Sequence, residues 1–305
     1  MDIYEEILRL RQQGRKAALA TIIHTQGSIP SYESSKLLIR DDGSILGSVG
    51  GGCVEAEIWA AAQEVMQQEK PRKFTFNLNA DPKYDLGLTC GGTVEIFLEP
   101  ILPTPVCYIC GAGHVGRSFS RVAAQAGFST VIVDDRPQFA NRERFPEASE
   151  IYAAPWEQAF EKLAPNELAY IVIVTRGHKD DMRVLRWAVR TPARYIGLIG
   201  SKRKVLSIYR ELEREGIPRA QLARVHAPIG IEIGALSPDE IAVSIAAEMI
   251  AVRRHAPLPS LPRQASPKTI GPARAGRRVA ADTAADADPA DSTDAAEVKP
   301  RTSSR

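Results

Sequence analysis

The chain has 305 residues, 44% hydrophobic and 25% charged, with 39 Lys and Arg against 37 Asp and Glu for a formal net charge of +2. That is globular composition with length for two ordinary domains, and so even a balance lacks the concentrated basic face of a nucleic-acid binder. No apolar run approaches the roughly 18 to 20 residues that span a bilayer. Asp2, Glu5 and Glu6 precede any basic residue and no apolar signal core follows, while four cysteines make no disulfide framework. A cytoplasmic protein is expected, with no membrane or nucleic-acid partner.

Residues Asp2 to about Gln13 predict an amphipathic helix with Ile3, Ile7, Leu8 and Leu10 as its apolar side. Strand-like runs follow at Ala17–Ile23 and Lys36–Arg40, and Asp41-Asp42-Gly43-Ser44 reads as a hairpin turn into Ile45–Gly47. The stretch Gly47-Ser48-Val49-Gly50-Gly51-Gly52-Cys53-Val54-Glu55 then opens a helix over roughly Cys53–Gln68. Two more strands, Lys73–Leu78 and Thr93–Leu98, complete an N-terminal α+β domain, residues 1–100.

Cys53 is expected at a helix N-terminus, where the positive end of the dipole favours thiolate. Gly51 and Gly52 leave backbone N–H groups open to an anion and leave room for a bulky group near the sulfur. A second cluster, Gly87-Leu88-Thr89-Cys90-Gly91-Gly92, repeats the combination with Cys90 and Gly91. A thiolate among such donors suits a soft metal or a sulfur-transfer step. The competing reading is two small buried residues beside turns that need glycine. The cysteines are isolated, so nothing completes the four ligands of zinc.

Three prolines in Glu99–Pro105 disfavour both helix and central strand, so residues 101–105 read as a stiff linker. Residues 106–255 alternate strand and helix, the pattern of a Rossmann-like parallel-sheet domain. Its strands read Val106–Cys110, Thr130–Asp134, Ser149–Ala153, Ala169–Thr175 and Tyr195–Gly200. Gly111-Ala112-Gly113-His114-Val115-Gly116 follows the first strand and opens a helix, so Gly111, Gly113, His114 and Gly116 are candidates to meet a phosphate at its N-terminus. Asp134, at the end of the next strand, suits a ribose 2′-hydroxyl. The competing reading keeps the glycines for packing alone. Cys107 and Cys110 form a CxxC on a strand, where period two sends them to opposite faces, so they read as core filling. Arg176 and His178 follow the central strand, and Lys202, Arg203 and Lys204 follow the next, adding positive charge at the edge where open α/β sheets bind ligands. Ser237-Pro238-Asp239-Glu240 starts the last helix, with Ile241, Ile245, Met249 and Val252 as its stripe. Residues 256–305 hold seven of the 21 prolines and no Phe, Tyr or Trp, with a basic stretch and then an acidic one, and read as a disordered tail.

Several blocks in order resemble the xanthine dehydrogenase accessory protein (XdhC/CoxI) family over about residues 1–255: GGGCVEAEI (50–58), GLTCGG (87–92), CGAGHVGR (110–117), VDDRPQFANRERFP (133–146), TRGHKDD (175–181) and HAPIGIEIGALSPDEIAVSIAAEM (226–249). The resemblance implies a protein that is no hydroxylase itself. Such proteins bind the molybdenum cofactor, protect it while a cysteine desulfurase supplies the terminal sulfur ligand, and help insert it into an apo molybdenum hydroxylase of the xanthine dehydrogenase type. Cys53 and Cys90 match the cysteines of that family's glycine clusters and are the residues expected to meet molybdenum. The Rossmann-like domain would take the phosphate of molybdopterin, or the nucleotide of a dinucleotide form. Two other readings of the glycine loop stand beside this one, an NAD(P)-dependent oxidoreductase and a non-catalytic nucleotide-binding regulator; whether the chain forms a homo-oligomer is open.

Overall fold

Alternating side chains decide the first sheet. In β1 (Ala17–Ser28), Ala18, Ala20 and Ile22 enter one core while Ala17 and Leu19 enter another. The computed structural model describes residues 2–28, 32–78 and 91–257. Within them β1 pairs antiparallel with β2 (Lys36–Arg40) and β5 (Gly91–Ile101), β2 with β3 (Ile45–Gly47), and β5 with β4 (Arg72–Asn77). The resulting order is β3-β2-β1-β5-β4. Helix α2 (Gly52–Gln68) covers one face through Val54, Ile58, Ala62 and Val65, and α1 (Ile3–Gln12) covers the other through Leu10.

Two expectations change here. Leu8 is exposed, because it stands about 100° round the helix from Ile7 and leaves Ile3, Ile7 and Leu10 as the stripe. Glu6 is buried instead, its carboxylate accepting from Arg9 Nε and Nη2 and Arg40 Nε at 2.6 Å each. Those bonds to Arg9 and Arg40 hold its pKa down to about 2. The linker also starts later than the prolines suggest: β5 runs through Pro100 to Ile101, with Pro100 opposite Ala18 of β1. Pairing with β4 has ended by Leu98, so Pro100 sits where no donor is required on the open side.

The second sheet is wholly parallel, in the order β11-β10-β9-β6-β7-β8, from β6 (Val106–Cys110), β7 (Ser129–Asp134), β8 (Glu150–Ala153), β9 (Tyr170–Ile173), β10 (Tyr195–Leu198) and β11 (Val225–His226). Counted from β6, this is the 3-2-1-4-5-6 order of a dinucleotide-binding fold, which reverses between β6 and β9. Helices α3 (His114–Gln125) and α8 (Pro238–Arg253) back one face. On the other face lie α4 (Trp156–Lys162), α5 (His178–Ala188), α6 (Lys202–Arg214) and the short α7 (Arg219–Leu222). Cys107 and Cys110 are fully buried in the cores of opposite faces, and burial pushes both thiols above their usual range. The predicted start of α8 is present as a capping box between Ser237 and Glu240. Its stripe is wider than predicted: Ile245 and Met249 are buried, Ile241 and Val252 half-buried, and Glu248 is buried among polar partners. Tyr195 Oη, Gly230 N–H and His226 Nδ1 lie 2.6, 2.8 and 3.1 Å from its carboxylate.

Glu69, the C-cap of α2, joins the two sheets. It pairs with Lys16 of its own layer at 3.2 Å and receives both Nη groups of Arg194, which stands just before β10 at the amino edge of the parallel sheet. The tail beyond residue 257 and the Gly87–Cys90 part of the second cluster lie outside the described residues.

Candidate functional site

Three helices begin at a glycine N-cap with no capping side chain: α2 at Gly51, α3 at Gly113 and α5 at Gly177. The first N–H groups of an α-helix have no partner within it, so uncapped starts leave donors for an anion.

At the first, Gly50, Gly51 and Gly52 all take positive φ (117°, 76° and 63°), and a Cβ on Gly47 would stand 2.3 Å from the Lys36 carbonyl oxygen. Glycine is therefore required by the path itself. The path sets Cys53 in the first turn of α2, a free and half-buried cysteine. Part of the donor array is already used. Glu55 Oε1 accepts from Ser48 Oγ at 2.6 Å and from the N–H groups of Val49 and Gly51 at 3.0 Å each. Burial opposes ionisation of Glu55, but those three donors outweigh it and hold the carboxyl below its usual range. Beside the turn is a cavity of about 610 Å³ lined by Tyr32, Ser34, Lys36, Gly47, Ser48 and Gly50 among others.

The second and third starts share the carboxyl edge of the parallel sheet, at the crevice where the strand order reverses. Gly111 (φ 122°) passes so close to the loop after β9 that a Cβ would lie 2.3 Å from the Val174 carbonyl oxygen. A Cβ on Gly116 would lie 1.9 Å from the Gly111 carbonyl oxygen, whereas one on Gly113 would meet nothing within 4 Å. Two glycines of the loop thus serve packing, while Gly113, like Gly177 at the start of α5, leaves space for something else. His114 is exposed on the first turn of α3.

The charges at this edge are largely spoken for. Asp134, expected to face a ribose, is 2% exposed, and its carboxylate accepts from Ala112 N–H at 2.7 Å and from Arg136 N–H, Nε and Nη2. Burial opposes its ionisation, yet Arg136 and Ala112 hold its pKa below the usual value. Its charge closes the glycine loop rather than offering a free acceptor. Arg176 reaches Asp135 at 2.8 Å and Asp180 at 3.2 Å, and His178 Nε2 lies 3.2 Å from Glu211 Oε2. Asp181 is fully buried against Lys204 and receives the Thr175 hydroxyl at 2.6 Å; burial outweighs both partners and raises its pKa.

The sequence profile of the XdhC Rossmann domain matches residues 107–249, and that of the XdhC and CoxI family matches residues 10–77. The chain belongs to the XdhC and CoxI family. A protein of Escherichia coli (strain K12) named YqeB is 34% identical over 258 residues, 84% of this chain and 47% of that protein. The chain thus spans about half the length of that relative. A Bacillus subtilis (strain 168) protein named as a probable subunit of xanthine dehydrogenase is 24% identical, over 80% of this chain and 96% of its own. The molybdenum cofactor insertion chaperone PaoD of Escherichia coli (strain K12) is 23% identical, over 83% and 90%.

Placed on this family member, the first matched stretch contains Gly51, Gly52 and Cys53, and the second contains Gly111, Gly113, His114, Gly116, Asp134, Arg176 and His178. Cys90 falls between the two, outside the described residues, and Gly91 opens β5 beside it. The structure brings the second set together at one sheet edge. Cys53 belongs to the other layer, in the first turn of α2 against the antiparallel sheet. Sequence reasoning missed Glu55, Asp135, Thr175 and Glu211. Only Glu55 carried a signal, standing four residues past Gly51 on the same helix, near enough to turn back on the loop.

Proposed function

We propose that this family member takes the molybdenum cofactor as cargo, holds it while a cysteine desulfurase supplies the terminal sulfur ligand, and inserts it into a xanthine dehydrogenase-like molybdenum hydroxylase. The observation that carries the reading is the free, half-buried Cys53 in the first turn of an uncapped, glycine-started helix. A cavity of about 610 Å³ opens against the loop that leads into it, at Gly47, Ser48 and Gly50. That volume lies in the range of small-molecule sites. Thiolate sulfur favours soft metal centres. Among the described residues no three His, Cys, Asp or Glu side chains group to hold a bare metal ion. A metal that arrives with its own dithiolene ligands needs no such group, and one thiolate suffices to hold it. The names of the Bacillus subtilis and Escherichia coli relatives support the same class of cargo and client.

In this reading residues 1–101 and 106–255 act as two domains joined by 102–105. Cys53, with Cys90 as its companion, meets the metal end, and Gly51, Gly52 and Gly91 let it approach the backbone. Gly113 and His114 offer N–H groups to the phosphate, or to the nucleotide of a dinucleotide form, with Gly111 and Gly116 shaping that loop. Arg176 and His178 meet the anion by exchanging their present carboxylate partners. An NAD(P) site is the weaker reading, because the Asp134 carboxylate that would receive the ribose is held by Arg136 and Ala112.

The test is anaerobic incubation with molybdenum cofactor, desalting, and measurement of retained molybdenum and pterin. Near-stoichiometric retention that falls in Cys53→Ala and Cys90→Ala, with unchanged circular dichroism, is expected. Normal retention in the double variant would remove the cysteines from the site. Loss of retention in Gly113→Val alone would place the whole cargo at the parallel sheet.

A further inference from the structure

We infer that the amino edge of the parallel sheet holds a second ligand site, for a small molecule that carries a phosphate or similar oxyanion on an apolar body. A cavity of about 540 Å³ opens there between the end of α2, the 102–105 connection and the last turn of α8. Its lining includes four cationic side chains, Lys70, Arg194, Arg253 and Arg254, against the single carboxylate of Glu69. That carboxylate is already taken by Arg194 and Lys16. Among the described residues no carboxylate pairs with Arg253 or Arg254.

Two buried polar atoms in the lining have no partner, Arg253 Nε and the hydroxyl of Tyr170. Tyr170 is 0% exposed; its hydroxyl lies within reach of the Arg194 guanidinium but outside good hydrogen-bond geometry, and burial outweighs that contact to push its pKa up. Arg253 bonds the Ala126 carbonyl at 3.1 Å through Nη1 and lies over the Phe128 ring at 4.5 Å, which fixes its plane and leaves its charge uncompensated. Buried donors left unpaired are rare in folded proteins and call for an acceptor. Both are shielded from solvent in the free protein, so an anion in the cavity reaches them as the Arg253 side chain turns toward it.

The bland explanation is that basic residues close a helix C-terminus, and it accounts for Arg254. It accounts for neither orphan. The ends of α2, α3 and α8 do bring negative partial charge, about half a unit each, which together is less than the excess of cations. Leu102, Pro103 and Leu168 form an apolar wall for the rest of the ligand. The site is separate from the glycine loop, which lies at the opposite edge of the same sheet.

The probe is phenyl phosphate, titrated calorimetrically into the full chain at low salt, with inorganic phosphate as comparison. One site is expected, tighter for phenyl phosphate than for phosphate. Arg253→Gln should weaken it about ten-fold or more and Arg254→Gln less, while Gly113→Val leaves it intact. Tyr170→Phe, which removes only the hydroxyl and keeps the ring, should weaken binding several-fold while the unliganded protein melts no lower. Absence of binding at millimolar probe, affinity unchanged in Arg253→Gln, or loss in Gly113→Val would each overturn the assignment. So would binding that emerges only after Asp282, Asp286, Asp288, Asp291 and Asp294 are changed to Asn, since the chain's own acidic stretch would then be the occupant.

Discussion

The two edges of the parallel sheet handle charge in opposite ways. At the carboxyl edge most of the charged groups that look functional are paired inside the protein: Asp134 with Arg136, Asp135 and Asp180 with Arg176, Asp181 with Lys204, and Glu211 with His178. At the amino edge Glu69 absorbs Arg194 and Lys16, and Lys70, Arg253 and Arg254 are left without a carboxylate among the described residues. A paired edge is rigid and must exchange partners before it takes an anion. An unpaired edge stores cost in the free protein and recovers it on binding. The two edges therefore differ in what a substitution does to stability and to binding, and that difference can be measured.

The largest effect should come from closing the carboxyl edge sterically. Gly116→Val places a Cβ 1.9 Å from a backbone oxygen with no flexible side chain to yield, so a loss of about 4 kcal/mol or more in urea unfolding is expected. A loss under about 1 kcal/mol would mean that the glycine loop repacks and is less rigid than its pairing implies. Next comes the junction. Glu69→Gln strands the partly buried Arg194 and Lys16 and should cost about 3 kcal/mol, with the parallel sheet itself intact by circular dichroism. Retained stability there would show that the layers dock without the ion pair.

How far these features were legible depends on whether their residues are contiguous. The strands β2, β3 and β6 agree with the sequence at both ends, because short apolar runs and the turn residues that flank them mark them locally. The Ser237–Glu240 cap is equally local. Pro100 misled, since whether proline is tolerated in a strand depends on where its neighbour β4 stops, a fact of tertiary pairing. Asp134 occupies the position expected of it, but Arg136, two residues on, turns its carboxylate inward, and spacing alone does not reveal a side-chain direction. The amino-edge cavity was not legible at all. Its lining comes from residues 69, 70, 102, 103, 105, 126, 127, 168, 170, 194 and 253–255, which together form no motif.

The pairing at the carboxyl edge predicts a pH signature of intermediate size. The folded pKa of Asp134 lies below its ordinary value, so its contribution is fully present above the unfolded pKa of about 3.9 and is lost as pH falls through the lower folded value. Asp134→Asn should therefore cost about 2 kcal/mol at pH 7 and progressively less below about pH 4. A penalty independent of pH would mean that Asn loses packing or amide geometry rather than the charge of the pair, and the edge would not be held electrostatically.

The smallest effect is the sharpest, because its sign separates the two edges. Tyr170→Phe removes a buried hydroxyl that has no partner and leaves the ring against Phe128, 5.0 Å centroid to centroid, and Tyr195 at 5.8 Å. Deleting an unsatisfied buried donor with its ring intact should stabilise the free protein by about 1 kcal/mol. The matching deletion at the other edge, Thr175→Val, removes a hydroxyl that donates to buried Asp181 at 2.6 Å and should destabilise by a similar amount. Opposite signs in paired denaturant melts would establish that one edge is complete in the free protein and the other waits for an acceptor. If both variants lose stability, the Tyr170 hydroxyl has a partner in solution, and the contrast between the edges is weaker than their charges suggest.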